Sequence, residues 1–275
     1  MNIQTQRASR LRRIVNSMGL LPFVFVIWRN AREWTPARSV RNRSLRRQFE
    51  RFIPIPPGSL LFSSTGSRDV EWFLESGQAT ADAFRDALQS VNRPMESFKD
   101  IFELGCGCGR VLRHWVNERG TTITASDYNS HVVSWVQKNL PFVSCKTNML
   151  EPPLPFATGS FDLCYAVSVF THLPQPLQEP WLKELHRVLR PNGIFLVTLS
   201  GEGDLVRTTQ DEQNRFNRGE LLVLNAELAG TNMCAVYHSK EYVERKWNSY
   251  FRILRFIPQG AKGSPRQDLY ILERT

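Results

Sequence analysis

Between residues 98 and 200 the chain alternates short apolar runs with stretches whose apolar residues recur at helical spacing. Ile101–Leu104, Thr121–Ala125, Phe142–Cys145, Phe161–Val167 and Ile194–Leu199 are apolar or β-branched runs that read as five strands. Between them, Val111, Leu112, Trp115 and Val116 predict a helix ended by Gly120. Val132, Val133, Trp135 and Val136 predict a second. Trp181, Leu182, Leu185, Val188 and Leu189 predict a third, stopped by Pro191-Asn192-Gly193. Strands and helices that alternate over short links predict parallel strands joined by right-handed crossovers. The expected fold is therefore α/β, a doubly wound, mostly parallel sheet.

The flanks read differently. Upstream, Thr80 is placed to cap a helix whose apolar face holds Phe84, Ala87, Leu88 and Val91. Downstream, residues 201–240 break the alternation. Gly201–Arg218 is polar and reads as loop, while Glu220–Leu224 and Met233–Tyr237 can pair as a small hairpin. Phe251–Phe256 and Asp268–Leu272 predict a longer antiparallel hairpin, because the link contains Pro and Gly and is too short for a crossover helix. The stretch Ile53-Pro54-Ile55-Pro56-Pro57-Gly58 can neither continue a helix nor donate ladder hydrogen bonds. It divides an N-terminal arm, residues 1–57, from a body, residues 58–275, in which 201–240 is an insertion on the substrate side.

Composition changes this picture at one point. The 275 residues are 41% hydrophobic and 22% charged, as in an ordinary globular protein, with a net charge of +9. Residues 1–52 carry twelve arginines against only Glu33 and Glu50, a charge of +10, so the rest of the chain stands at −1. The positive field belongs to the arm, which weakens any case for a cleft that grips a phosphate backbone. The arm also holds an apolar run, Met18–Trp28, about half the roughly 20 residues a membrane span needs. Three readings stand for it: a helix packed on the body, a peripheral contact of residues 1–52 with anionic membrane, or a targeting signal. The body itself reads as cytoplasmic, and five cysteines, an odd number, fit free thiols better than a disulfide framework.

The candidate chemistry centres on Phe102-Glu103-Leu104-Gly105-Cys106-Gly107-Cys108-Gly109-Arg110. Glycines between a strand and a helix let the backbone turn sharply and approach a ligand where a Cβ would collide. A dinucleotide fingerprint needs its third glycine at the sixth position; here that position is Arg110 and the glycine comes one residue early. Asp127 follows Gly105 at the distance expected for a carboxylate that accepts hydrogen bonds from a ribose diol. Cys106 and Cys108 have no second cysteine pair spaced for tetrahedral zinc, so no metal is expected.

This E-x-G-x-G-x-G loop, with Asp127, Asn148-Met149, Phe161-Asp162-Leu163 and Glu184 through Gly193 in order after it, resembles the class I, Rossmann-like S-adenosylmethionine-dependent methyltransferases. The resemblance covers about a hundred residues. It implies a seven-stranded sheet ending in an antiparallel hairpin, with S-adenosylmethionine as cofactor. Carried over position by position, it implies that Glu103 meets the methionine amino group and that Gly105, Gly107 and Gly109 border the methionine. Asp127 would take the ribose, Tyr128 would lie against the adenine, and Asn148 and Met149 would read it. Asparagine stands where the family usually has an acid, but its side-chain oxygen can accept the same bond. Ser168 and Val169 would line the cofactor on the substrate side.

Methyl transfer asks mainly for alignment and exclusion of water, and for a base only when the nucleophile must lose a proton early. His172, just after the fourth strand, is the candidate base; His238 is a weaker candidate for substrate contact. Arg110 reads as a solvated helix start or as a carboxylate or phosphate ligand. The expected partner is a small-molecule acceptor or saccharide or lipid precursor, methylated on oxygen or nitrogen. Nucleic acid is disfavoured because no groove of interleaved basic and aromatic residues stands out. The alternatives are a nicotinamide oxidoreductase and a methyltransferase-fold protein that docks to membrane or nucleic acid through its arm.

Overall fold

The computed structural model describes residues 36–49, 52–263 and 266–275. The Met18–Trp28 run lies outside the described residues, and with it the three readings of that segment. Among the described residues no helix is long and apolar enough to cross a membrane.

Three helices come first: α1 (Pro36–Phe49), α2 (Gly58–Thr65) and α3 (Val70–Gln89). The alternating body follows as β1 (Asp100–Leu104), β2 (Thr122–Asp127), α4 (Ser130–Asn139), β3 (Val143–Thr147), β4 (Phe161–Val167), α5 (Gln175–Val188) and β5 (Leu189–Leu199). Then come α6 (Gln210–Asn217), β6 (Leu222–Leu224), β7 (Ala235–Tyr237), α7 (Lys240–Trp247), β8 (Phe251–Ile257) and β9 (Asp268–Arg274). Seven strands form one sheet in the order β3-β2-β1-β4-β5-β9-β8, and β6 pairs with β7 in a separate antiparallel ribbon. β1 through β5 are parallel to their neighbours; β9 runs against both β5 and β8. The doubly wound sheet and its terminal hairpin are thus present as expected.

The strand pattern explains the two-sided burial. Successive side chains of a strand point to opposite faces. Ile101, Leu163, Tyr165 and Leu196 enter one core with α3 and α4, while Phe102, Cys164, Phe195 and Val197 enter the other with α5 and α7. Covered on both faces, β5 is buried at every position from Gly193 to Leu199 rather than alternating. The chain winds outward from β1 to β3, then returns to place β4 on the other side of β1. Strand order therefore reverses between β1 and β4, where an open α/β sheet leaves a crevice at the C-terminal strand ends.

Three expectations need correction, and one helix, α7, was not expected at all. The helix predicted from Val111 to Val116 is a single 3-10 turn, Leu112–Trp115. Its side chains are committed elsewhere: Arg113 donates to the Ile53 carbonyl at 2.7 Å and Trp115 Nε1 to the Tyr165 hydroxyl at 2.8 Å. Thr80 caps nothing; α3 starts ten residues earlier, where Asp69 accepts from Trp72 N, and Thr80 Oγ1 donates to Ser76 O within the helix. The polar stretch 201–218 is not all loop, because Thr209 and Glu212 form a reciprocal capping box that starts α6. Finally, α7 starts at the cap of Ser239 and buries Tyr242, Val243 and Trp247.

At the expected arm–body boundary, α1 is fastened to the body. Asn42 donates to Arg68 O at 2.8 Å and accepts from Val70 N at 3.0 Å, so it satisfies backbone groups at the start of α3. Arg46 donates to Ile55 O at 2.8 Å, Arg38 and Arg41 pair with Asp69 and Glu71, and Leu45 and Phe49 pack on Leu61, Val70 and Phe73.

Candidate cofactor and acceptor site

A cavity of about 570 Å³ lies at the C-terminal ends of β1, β2, β3, β4 and β5, at the reversal of strand order. Every expected site residue lines it except Gly109 and the weaker candidate His238. The strand order sets the spatial order of the groups. Asn148 follows β3, Asp127 ends β2, Glu103 and the glycine loop belong to β1, and Ser168 through His172 follow β4. At roughly 4.8 Å between strands, those groups step across a distance of ~15 Å.

The glycine loop is shaped by its neighbours. Gly105 has φ +68°, and a Cβ there would come within 2.5 Å of Val169 Cγ2, so both backbone and space demand glycine. A Cβ on Gly107 would stand 3.0 Å from Ser64 Cβ, where α2 covers the loop. Gly109 faces away from the cavity toward Leu140, whose Cδ1 lies 2.5 Å from where a Cβ would be; its place is in the turn rather than beside a ligand. The loop is stitched to β2: Gly105 N and Cys106 N donate to Ser126 O at 2.8 and 3.0 Å. Asp127 Oδ2 accepts from Gly107 N at 2.8 Å and Oδ1 from Asn129 N at 2.9 Å.

Glu103 is 3% exposed, and burial raises its carboxyl pKa to about 8, against the hydrogen bond from Tyr165 and the charge of Arg110, which pull it down. The Tyr165 hydroxyl donates to Glu103 Oε2 at 2.8 Å. Burial likewise raises Asp127, against its two backbone hydrogen bonds. A buried pair of carboxylates near β1 and β2 suits a ligand that brings a cation to one and hydroxyls to the other.

Asn148 supplies an independent sign. It is 9% exposed, its Nδ2 donates to Met149 O at 2.6 Å, and its Oδ1 is buried with no hydrogen-bond partner. An orphaned acceptor on a cavity wall is costly unless a ligand supplies a donor. Tyr128 and Met149 stand at the rim, 50% and 75% exposed.

Past β4 the lining becomes hydroxyl-rich. Ser168 has φ +59° and is held by a network: its N donates to Thr198 Oγ1 at 2.8 Å and its Oγ accepts from Gln267 Nε2 at 2.9 Å. Thr198 Oγ1 in turn donates to Gln267 Oε1 at 2.7 Å. His172 Nδ1 lies 2.7 Å from the Cys234 carbonyl. A carbonyl only accepts, so Nδ1 carries the proton and a neutral ring keeps the lone pair on Nε2. Burial lowers the pKa of His172, against the Cys234 bond, which favours that neutral state.

The insertion covers this half. Gly230 N donates to His172 O at 2.8 Å, Tyr128 Oη to Gly230 O at 2.9 Å, and Asn232 Nδ2 to Ser63 O at 3.3 Å. The loop between β6 and β7 is thereby tied to three sides of the cavity mouth.

Two readings from sequence change. His238 is no substrate contact: it is 1% exposed, outside the cavity lining, and bonded through Nε2 to Gln178 Oε1 at 3.1 Å, with burial lowering its pKa to about 3. Arg110 is not a solvated helix start. It lines the cavity, with Nη1 3.3 Å from both Ser76 Oγ and Thr80 Oγ1. Gln267 was missed altogether, because nothing local in the sequence links it to Ser168. All five cysteines are free and buried, and among the described residues no cluster of His, Cys, Asp or Glu could hold a metal.

Comparison with known proteins gives the same assignment. Residues 102–197 match the family described as a methyltransferase domain. A malonyl-(acyl-carrier protein) O-methyltransferase of Pectobacterium atrosepticum is 28% identical over 133 residues, 46% of this chain and 50% of that protein. A tRNA N(3)-cytidine methyltransferase of Gallus gallus is 23% identical over 154 residues, 52% of this chain and 40% of that protein. The chain thus spans about half the length, or less, of these curated relatives. The solved S-adenosylmethionine-dependent methyltransferase of Methanosarcina mazei superposes with a TM-score of 0.50 at 20% identity, over 66% of this chain and 95% of that one, and so shares the fold. Residues 102–197 thus match a methyltransferase domain, and the fold is the one shared by the class I, Rossmann-like S-adenosylmethionine-dependent methyltransferases.

Proposed function

We propose that this protein transfers the methyl group of S-adenosylmethionine to an oxygen or nitrogen of a small-molecule acceptor. One observation supports the assignment of roles: Glu103, Asp127 and Asn148 stand at or just past the ends of three adjacent strands, β1, β2 and β3, and all three line the cavity. Glu103 pairs with the methionine ammonium and Arg110 with its carboxylate, so the zwitterion meets one group of each sign. Asp127 accepts from the ribose diol, and the orphaned Asn148 Oδ1 accepts from the adenine amino group. Tyr128 and Met149 flank the ring at the rim.

The cofactor supplies an electrophilic methyl on a sulfonium. The chain's own residues do the rest. Gly105 and Val169 fix the wall where methionine and acceptor meet, and the loop over residues 225–234 keeps water out. His172 Nε2 is placed to hold a proton from an acceptor whose nucleophile must lose one.

The named relatives act on a carrier-bound malonyl group and on tRNA, so the shared segment does not set the acceptor. For this chain a small acceptor is favoured by the covered cavity. Methyl-labelled S-adenosylmethionine incubated with the protein and a small-molecule extract tests this. Label should move into the small-molecule fraction; label found only in added tRNA or protein would overturn it.

Peripheral contact with anionic membrane through residues 1–52 is a second proposal, supported by the charge of +10 on that segment, of which Arg38, Arg41 and Arg46 are bonded to the body. Co-sedimentation with phosphatidylglycerol vesicles but not phosphatidylcholine vesicles is the expected result. Pelleting with neither, or equally with both, would remove it.

A further inference from the structure

The two halves of the cavity differ in charge. Glu103, Arg110 and Asp127 all belong to the β1–β2 side. On the β4–β5–β9 side stand Ser168, Thr171, His172, Ser200, Tyr237 and Gln267. Among the described residues, that side has no carboxylate, no lysine and no arginine in its lining. His172 is its one group able to take up a positive charge, and the fixed Nδ1–H directs that proton to Nε2.

This asymmetry selects among acceptors. An anionic acceptor moved into the neutral half would lose hydration and meet no fixed cation. An ammonium acceptor would meet no carboxylate. An uncharged hydroxyl compound pays neither penalty, and the hydroxyls of Ser168, Thr171 and Ser200 line the half it would enter. It does need a base, which a carboxylate acceptor would not.

Resting on the methyltransferase reading above, we propose that the acceptor is an uncharged hydroxyl compound of the phenol or enol type, whose proton passes to His172 Nε2. As the acceptor oxygen forms its bond to the methyl carbon, the carbon–sulfur bond breaks and its electron pair stays on sulfur. The O–H proton goes to Nε2, so the positive charge moves from sulfonium to imidazolium, which then releases the proton to water. Acidity favours a phenol over an aliphatic alcohol. A phenol titrates near ~10, while a hydroxyl comparable to water lies near ~15.7, too far above an imidazole. Gln267 is the positioning residue of this half, since it holds Ser168 and Thr198 together.

The test uses the full chain saturated with S-adenosylhomocysteine, which occupies the cofactor half without turnover. Phenol, 4-ethylphenol and methyl 4-hydroxybenzoate are titrated against benzoate, phenylacetate and phenethylamine, while the 15N resonances of His172 are followed. The phenols should bind at least tenfold more tightly than the charged compounds and should move the Nε2 resonance. Carboxylate or amine binding as tight as phenol binding would overturn the proposal. So would an absence of phenol binding, or phenol binding that leaves His172 Nε2 unmoved. Failure of S-adenosylhomocysteine itself to bind would instead remove the methyltransferase reading on which the proposal rests.

Discussion

The Tyr165 hydroxyl donates to Glu103 Oε2 at 2.8 Å while its oxygen accepts from Trp115 Nε1 at 2.8 Å. A buried three-member relay thus runs from a 3-10 turn, through the middle of the sheet, to the carboxyl assigned to the methionine amine. It holds Glu103 in place without neutralising its burial, and the carboxyl pKa remains near 8.

That pKa makes a stability prediction. The folded carboxyl holds its proton up to about pH 8, whereas an unfolded glutamate loses it near 4.5. The folded state binds more protons in this window, so stability is complete below about pH 4.5 and falls as pH rises toward 8. Glu103→Gln cannot ionise and still accepts from Tyr165. It should exceed wild type in stability at pH 8.5 by on the order of a few kcal/mol, and match it near pH 4.5. Denaturant titrations at the two pH values check this; parallel pH dependences in the two proteins would contradict it.

A second prediction concerns ligand binding. If the methionine ammonium binds ionised Glu103, binding at pH 7 must expel the proton that the free enzyme holds. Calorimetry in buffers of different ionisation heat should report release of close to one proton for wild type and almost none for Glu103→Gln. Equal proton release in both would break the link between Glu103 and the amine.

Gly105 tests the loop geometry. Gly105→Ala adds both a left-handed φ penalty of about 1–2 kcal/mol and a collision with Val169 Cγ2. The single variant should lose about 2–4 kcal/mol of stability and bind S-adenosylmethionine at least tenfold more weakly. Val169→Ala added to it should recover the collision but not the φ penalty. Full recovery, or none, would contradict the geometry.

How much of this could be read beforehand depended on how local the signal was. Parallel strands announce themselves as buried apolar runs, and the Gly105–Asp127 spacing follows from one crossover between β1 and β2, so the sheet and the positions that line the cavity at its C-terminal edge were legible. The turn at Leu112–Trp115 was misread because Arg113 and Trp115 answer to Ile53 and Tyr165, far away in sequence. The start of α3 was obscured by Ser76 and Gly77, small residues in mid-helix. A Cβ on Gly77 would lie 2.2 Å from Arg110 O, so the helix thins there to seat the glycine loop. Gln267, Arg110 and the burial of His238 depend on partners from other strands and helices, and no local pattern encodes them.

The covering loop makes a dynamic prediction. Tyr128→Phe removes the bond to Gly230 O and Asn232→Ala the bond to Ser63 O. Together they should speed hydrogen exchange across residues 225–234 while leaving β1 and β4 protected. Unchanged exchange in the loop would mean that these two bonds do not hold it.

The central claim, that this cavity binds S-adenosylmethionine with Asp127 on the ribose, is tested most directly by calorimetric titration of wild type and Asp127→Ala with S-adenosylmethionine and, in parallel, NADH. Saturable binding of S-adenosylmethionine alone, weakened at least tenfold in a folded Asp127→Ala, is the predicted result. Absence of binding to the folded wild type, or binding of NADH in its place, would contradict it.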